Sequence, residues 1–417
     1  MLQSIADNGV LPASEIEHLV SSAMDNPRFD GCRALLVIPD HTRTAPIDVM
    51  FRAIYRHLAP RAQAVDVIVA LGTHHPLPME MIYKRVGISE EEHRHDFPKT
   101  RFFNHKWKDP DALTIVGQIS EDRTRQITDG RLALSVNVPI NKMALEYDHL
   151  IIVGPVFPHE VVGFSGGHKY LFPGIAGQEI LDYFHWLGAL ITNPAIIGNR
   201  DTSVRAVIEE AASFVPTPRS CFSLVVKGEG LAGLFYGEVQ ESWRAATLLS
   251  SRLHVTYKEK PFHTVLSCAP PIYDDIWVGG KCMYKLEPVV ADGGRLIIYA
   301  PHITEISYTH GDILEEIGYH TRDYFVSQWD RFRKYPWGVL AHSTHVKGTG
   351  TCVDGVERPR VEVILATGIP EERCRRVNLE YLDPASIQVS DYQGREDEGV
   401  LYVPKAGEML YRLKDED

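Results

Sequence analysis

Short apolar runs alternate with amphipathic stretches through the first half of the chain. Residues 34–38, 65–70, 149–153 and 222–226 are rich in Val, Ile, Leu and Ala, as expected of strands covered on both faces. Residues 47–58, 179–190 and 202–212 instead repeat apolar positions at helical spacing. Strands alternating with helices predict βαβ units around a parallel sheet. The glycine-rich stretch 228–237 reads as a turn closing this unit, and 239–253 as a helix leading to a boundary. A second α/β pattern begins near residue 262. It comprises a strand at 264–267, the Pro270-Pro271 break, a helix at 279–290, a turn at 292–294 and a strand at 295–300. Helices at 313–317 and 323–334 and strands at 361–366 and 400–403 follow. The expected fold class is α/β, with two domains of largely parallel sheet and an active-site cleft between them. Residues 1–260 form the cofactor-binding and catalytic domain, and 261–417 a smaller domain that contributes substrate contacts.

Bulk properties narrow the function. A chain of 417 residues, 44% hydrophobic, is long enough to bury two substantial cores. A formal charge of -12 argues against nucleic acid or an anionic membrane as partner, because a polyphosphate surface needs a basic face. A small anion can still be held by a local cationic pocket. The N-terminus lacks a basic segment followed by an apolar run, and no stretch approaches the roughly 18 to 20 apolar residues of a membrane span. A soluble, cytoplasmic protein is expected. The six cysteines include no Cys-x-x-Cys pair, which suits reduced buried thiols better than a thiolate metal site.

The candidate chemistry lies in four stretches. His159-Glu-Val-Val-Gly163-Phe-Ser165-Gly166-Gly167-His168-Lys169 continues through Gly174 to Gly177, so two glycine clusters flank one lysine. Glycines permit tight turns and present bare N–H groups, and Lys169 is either a point charge for phosphate or an amine that holds a cofactor covalently. Spacing alone does not choose between these. Asp40-His-Thr-Arg43 follows the first apolar run, Gly72-Thr-His74-His75-Pro76 the second, and Asn104-His-Lys comes next. These motifs stand where the chain leaves the carboxyl ends of strands, the edge at which open α/β sheets bind ligands. His185 lies downstream on the apolar helical segment Tyr183-Phe-His-Trp186.

Together these stretches resemble the nickel-pincer lactate racemase family of 2-hydroxy acid racemases and epimerases, most densely from Asp40 to His185. The resemblance implies that His74 and His159 are alternating general acid and base, and that Lys169 carries the nickel-pincer nucleotide, a pyridinium bisthiocarboxylic acid mononucleotide. It further implies that His185 is the protein ligand to nickel. Arg43 and its acidic neighbour Asp40 would position substrate, and Lys281 would engage the carboxylate. Ser165, Gly166, Gly167 and His168 would contact the cofactor. The partners implied are a small 2-hydroxy acid and cofactor maturation enzymes. The chemistry is coherent, because the α-hydrogen of a 2-hydroxy acid is a poor proton donor, whereas moving it as hydride avoids a carbanion. One departure is Val278, three residues before Lys281, where lactate-active relatives carry glutamine; this favours a bulkier or more polar substrate than lactate. His302, His310, His342 and His345 are candidates to meet it. Two other functions are weighed against this one. A zinc hydrolase or lyase would use His74, His75, His159 and Asp40 as ligands but leaves the glycine-lysine loop unexplained. A noncatalytic phosphate or nucleotide binder leaves the histidines unexplained. No Gly-x-Gly-x-x-Gly opens a helix, so ordinary NAD-dependent dehydrogenation is disfavoured.

Overall fold

In a computed structural model, which describes residues 1–414, the chain divides into two units. The first comprises Met1–Phe157, Phe164–Leu181 and Arg205–Leu253. The second comprises Pro158–Gly163, Asp182–Val204 and His254–Asp417. The sequence suggests one boundary near residue 260. The units instead interleave, because two short segments from the middle of the first half pack with the C-terminal part. No described helix is long and apolar enough to cross a membrane.

The first unit is built on a seven-stranded sheet. Its strands are β1 (Leu2–Ile5), β2 (Arg33–Pro39), β3 (Ala64–Ala70), β4 (Phe102–Asn104), β5 (His149–Pro155), β6 (Arg219–Lys227) and β7 (Gly230–Gly237), in the order β1-β7-β6-β5-β2-β3-β4. Strands β6, β5, β2, β3 and β4 run parallel, and β7 pairs antiparallel with both β6 and β1. Every residue of β5 is buried, as its near-continuous apolar composition requires of a strand with covered faces. The helices α1 (Ala13–Met24) and α2 (Ile47–Leu58) cover one face. On α2, Ile47, Met50, Phe51, Ile54 and Leu58 recur at helical spacing and pack in one cluster with Leu36, Ile38, Val65, Val67 and Val69 of the sheet.

Of the stretch expected to turn, residues 228–229 do so, with Gly228 at φ 60°, and the remainder is strand β7. The strand's glycines do not signal a bend: a Cβ on Gly233 would stand 2.5 Å from Leu249, so the position accommodates helix α5 (Val239–His254), which follows α3 (Gln178–Ile191) and α4 (Ser203–Ser213) along the chain. The sheet order also reverses. The chain proceeds from β2 outward to β3 and β4, then returns to the other side of β2 as β5. The point between β2 and β5 is therefore a topological switch, the position at which open α/β sheets bind ligands.

The second unit carries a five-stranded, all-parallel sheet of β8 (Phe262–Cys268), β9 (Val290–Ala300), β10 (Glu362–Thr367), β11 (Glu380–Tyr381) and β12 (Val400–Val403), ordered β11-β10-β9-β8-β12. The helix expected over 279–290 is broken into Ile276–Gly279 and Lys281–Tyr284, followed by a 3₁₀ turn at Glu287–Val289. Gly279-Gly280 and Pro288 supply the breaks. The turn expected at 292–294 is an irregularity inside β9, where pairing with β8 shifts register. The helix expected over 323–334 is likewise split at Gln328 into Arg322–Ser327 and Trp329–Phe332.

One buried polar group ties the central strands of the first unit to their surroundings. Asp66 on β3 is fully buried and accepts from Arg101 N at 2.7 Å, from Arg101 Nη2 at 2.7 Å and from the Tyr147 hydroxyl at 2.6 Å. Removing the carboxylate leaves these donors without their acceptor. Asp66→Ala is expected to lower stability by about 2 to 3 kcal/mol in urea unfolding, and a loss below about 0.5 kcal/mol would show the network to be dispensable.

Candidate active site

Parallel pairing of β2 with β3 sets Pro39 opposite Ala70, so the residues following each strand emerge side by side. Asp40 and His74 meet there. The His74 Nδ1–H donates to Asp40 Oδ2 at 2.5 Å, and the other carboxylate oxygen accepts from Thr42 N at 3.0 Å and Thr42 Oγ1 at 2.6 Å. Asp40 is buried, whereas the His74 side chain is about 29% exposed. Burial by itself would raise the Asp40 carboxyl. The His74 ring, the Arg43 guanidinium and the Thr42 bonds outweigh it and hold the group well below the usual carboxylate range. The bond to Asp40 fixes the tautomer with the proton on Nδ1, which leaves Nε2 as the nitrogen able to accept a proton.

The loops bearing these residues are braced from below. Arg85 donates to the carbonyls of Arg43 at 2.9 Å, Ala45 at 3.2 Å and Pro39 at 3.4 Å, spanning the Asp40 loop. Asn104 brackets Leu77, accepting from its N–H at 3.0 Å and donating to its carbonyl at 2.8 Å, which anchors the His74-His75-Pro76 turn. His105 is fully buried, with Nε2 on the Ala176 carbonyl at 2.9 Å and Nδ1 near Asn141 Nδ2 at 3.2 Å. It supports the second glycine cluster and has no contact with the Asp40–His74 pair among these bonds.

The Lys169 turn is a 3₁₀ element, Gly167–Tyr170, entered through Gly166 at φ 87°. Ser165 uses its polar atoms within the protein: Oγ donates to Pro155 O at 2.9 Å and accepts from Phe157 N at 2.9 Å. His168 is also engaged at both nitrogens, with Nδ1–H donating to Glu209 at 2.5 Å and Nε2 accepting from Arg219 Nε at 2.9 Å. Both side chains thus shape the loop that carries Lys169. The sequence reading missed Tyr170, whose phenol lies in the same electrostatic environment as Asp40, Arg43 and Arg85 and is pushed up, chiefly by burial. A Cβ on Gly154 would stand 2.3 Å from the Tyr170 ring, so this aromatic packs directly against the end of β5. A glycine inside an otherwise bulky buried strand was the available signal.

His159, His185 and Lys281 belong to the second unit. His159 is buried. Its Nδ1 accepts from Val161 N at 3.2 Å and has Glu160 Oε2 at 3.2 Å, so a proton gained at this nitrogen meets a carboxylate already in reach. His185 projects from α3 with its ring 5.3 Å from that of Phe184. It also lies close enough to His342 to disfavour protonation there, after burial and with His345 and His310 acting in the same sense. Trp277 packs its indole on His310 at 4.4 Å and His342 at 4.1 Å. Lys281 Nζ stands 4.8 Å over the Tyr273 ring, and Val278 is buried. Of the other second-unit histidines, His302 bonds the Tyr273 carbonyl at 3.0 Å, and His345 is buried and pushed down to about 4. Among the described residues, no group of three or more His, Cys, Asp or Glu side chains is arranged to hold a metal ion by itself.

Comparison with known proteins bears on this arrangement. Residues 11–197 match the lactate racemase N-terminal domain. The chain is 30% identical over 278 residues to lactate racemase of Lactiplantibacillus plantarum, covering 64% of this chain and 59% of that protein's length. It is 25% identical over 323 residues to lactate racemase of Thermoanaerobacterium thermosaccharolyticum, covering 72% and 69%. A crystal structure of a Thermotoga maritima protein superposes with a TM-score of 0.89 at 32% identity, over 99% of this chain and 100% of that one. The lactate racemase apoprotein of T. thermosaccharolyticum shares the fold, with a TM-score of 0.70 at 19% identity over 95% and 93%.

His105 gives this region a pH dependence. Burial pushes its imidazole down to about 4, with the Ala176 carbonyl opposing, against 6.5 in an open chain. The folded state therefore favours the neutral ring. Its contribution is present above pH 6.5 and is lost as pH falls toward 4, because only the unfolded chain takes up the proton in that window. Between pH 6.5 and 4, His105→Gln is expected to lose less stability than the parent by on the order of 3 kcal/mol in urea titrations. Equal losses would remove His105 from the account.

Proposed function

Because the chain belongs to the lactate racemase family, we propose that it inverts the configuration at C2 of a 2-hydroxy acid, with a nickel-pincer nucleotide held covalently at Lys169. The observation that carries the reading is the pairing of buried Asp40 with partly exposed His74 at the strand-end edge of the unit that also holds the Lys169 turn. The donor set fits such a cofactor, which brings its own carbon and sulfur donors. One amine is needed for the tether and one imidazole for the metal, and Lys169 and His185 are of those types.

When bound, the cofactor would supply an electron-poor ring with hydride-acceptor chemistry. The protein handles the protons. His74 Nε2 receives the hydroxyl proton of one enantiomer, and Asp40 stabilises the imidazolium that results. His159 takes the hydroxyl proton of the mirror image, and Glu160, 3.2 Å from its Nδ1, stabilises the charge that results. Arg43 and Lys281 would neutralise the substrate carboxylate, and Lys169 and His185 would hold the cofactor and its nickel. Ser165, Gly166, Gly167 and His168 set the shape of the loop around the tether. Val278 and the neighbouring Trp277 leave the lactate-type glutamine contact unmade and favour a larger substituent on C2.

His74→Ala and His159→Ala are each expected to lower turnover at least about a hundredfold while an adduct at Lys169 persists in intact-mass spectra of protein coexpressed with maturation enzymes. Near-normal turnover in both variants would overturn the two-base assignment. An unmodified Lys169 in fully active protein would overturn the tether. His185→Ala is expected to keep the adduct and lose nickel. Chiral analysis of a panel of 2-hydroxy acids is expected to give a higher kcat/KM for a substrate larger than lactate; a maximum at lactate would refute the reading of Val278.

A further inference from the structure

The path of the chain into Lys169 shows an unusual use of carbonyl groups. Arg205, on α4, donates from Nη2 to the Phe164 carbonyl and from Nη1 to the Gly166 carbonyl at 3.4 Å. The carbonyl between them, Ser165 O, accepts from Trp243 Nε1 on α5 at 2.8 Å. Three consecutive carbonyls are thus held by two side chains. The two side chains are themselves stacked, with the Arg205 guanidinium 4.0 Å over the indole.

The glycines of the motif answer to the same indole. A Cβ on Gly167 would lie 3.1 Å from Trp243 Cγ, and one on Gly166 would lie 2.7 Å from Val156 and 3.3 Å from Trp243 Cδ1. Both have positive φ, 87° at Gly166 and 60° at Gly167. The glycines therefore let the chain press onto Trp243, which is where their lack of a side chain is spent. Helix α4 grips the loop a second time one turn later, where Glu209 takes the Nδ1–H of His168, immediately before Lys169.

A buried cation is a costly way to fill space. Arg205 is 4% exposed, and its nearest counter-charge in this region, Glu209, stands 3.7 Å away while also bonding His168. An apolar side chain of the same volume would pack without that penalty. What it would lack is a planar fork able to hold two carbonyls at a fixed spacing, which a lysine ammonium also lacks.

We propose that Arg205 and Trp243 form a clamp that sets the direction of the Lys169 amine by fixing the three carbonyls before it, and that both are positioning residues for cofactor attachment. The second clause rests on the reading of Lys169 as the tether.

The test has one arm that needs no cofactor. Full-length protein, purified without maturation enzymes, is pulsed with acetic anhydride, and labelling of Lys169 is read by peptide mass spectrometry against exposed Lys227. In Arg205→Met and Arg205→Lys the Lys169/Lys227 labelling ratio is expected to shift at least about threefold at matched circular dichroism, since loss of a fixed geometry costs a group one or two orders of magnitude in effective reactivity. Trp243→Phe removes one N–H and keeps a ring against the glycines, so it decides the matter if both Arg205 variants unfold. An unchanged ratio in the folded variants overturns the clamp. In the second arm, coexpression with maturation enzymes is expected to give an adduct on Lys169 that falls at least about tenfold in Arg205→Lys. A full adduct in that variant overturns the positioning role. No adduct in the parent, together with a labelling ratio that responds to Arg205, supports the clamp and overturns the tether instead.

Discussion

Parallel pairing of β5, β2 and β3 is the constraint on which the candidate site of the first unit depends. Parallel strands release their chains at one common edge, and the three loops released here carry Lys169, Asp40 and His74 respectively. Chemistry-bearing residues more than a hundred positions apart in sequence are gathered by hydrogen-bond register, with no need for a long-range motif.

The Asp40–His74 pair illustrates how local charge and burial divide the work. A carboxylate so enclosed is tolerable only with compensating partners, and it has a ring N–H, a backbone N–H and a hydroxyl. Its partner remains partly exposed. The pair is thus anchored at one end and open to solvent or substrate at the other. His159 has a looser arrangement, with its carboxylate neighbour at 3.2 Å and the same nitrogen already accepting an amide proton.

Much of this was legible in the sequence where one physical signal dominated. Continuous apolar runs marked the central strands, and the period of Ile47, Met50, Phe51, Ile54 and Leu58 marked α2 to its ends. Reading failed where glycine had more than one meaning. Gly230, Gly233 and Gly237 look like a turn but belong to a strand that a helix approaches closely, while Gly166 and Gly167 look like a phosphate cradle but lie against an indole 76 and more residues downstream. No local pattern distinguishes a glycine that must bend from one that must be small. The roles of Ser165 and His168 were hidden for the same reason: their partners Pro155, Glu209 and Arg219 are set by tertiary packing.

The interleaving of the two units carries a consequence for how such a protein can be inherited. Within 49 residues, from Phe157 to Arg205, the chain passes from one unit to the other four times, and Lys169 falls on one side while His159 and His185 fall on the other. A gene cut at any single point would strand part of one unit on the wrong fragment. The halves of this protein are therefore not exchangeable modules, and recombination that replaced either one alone would divide a unit's own segments before it touched a candidate site residue.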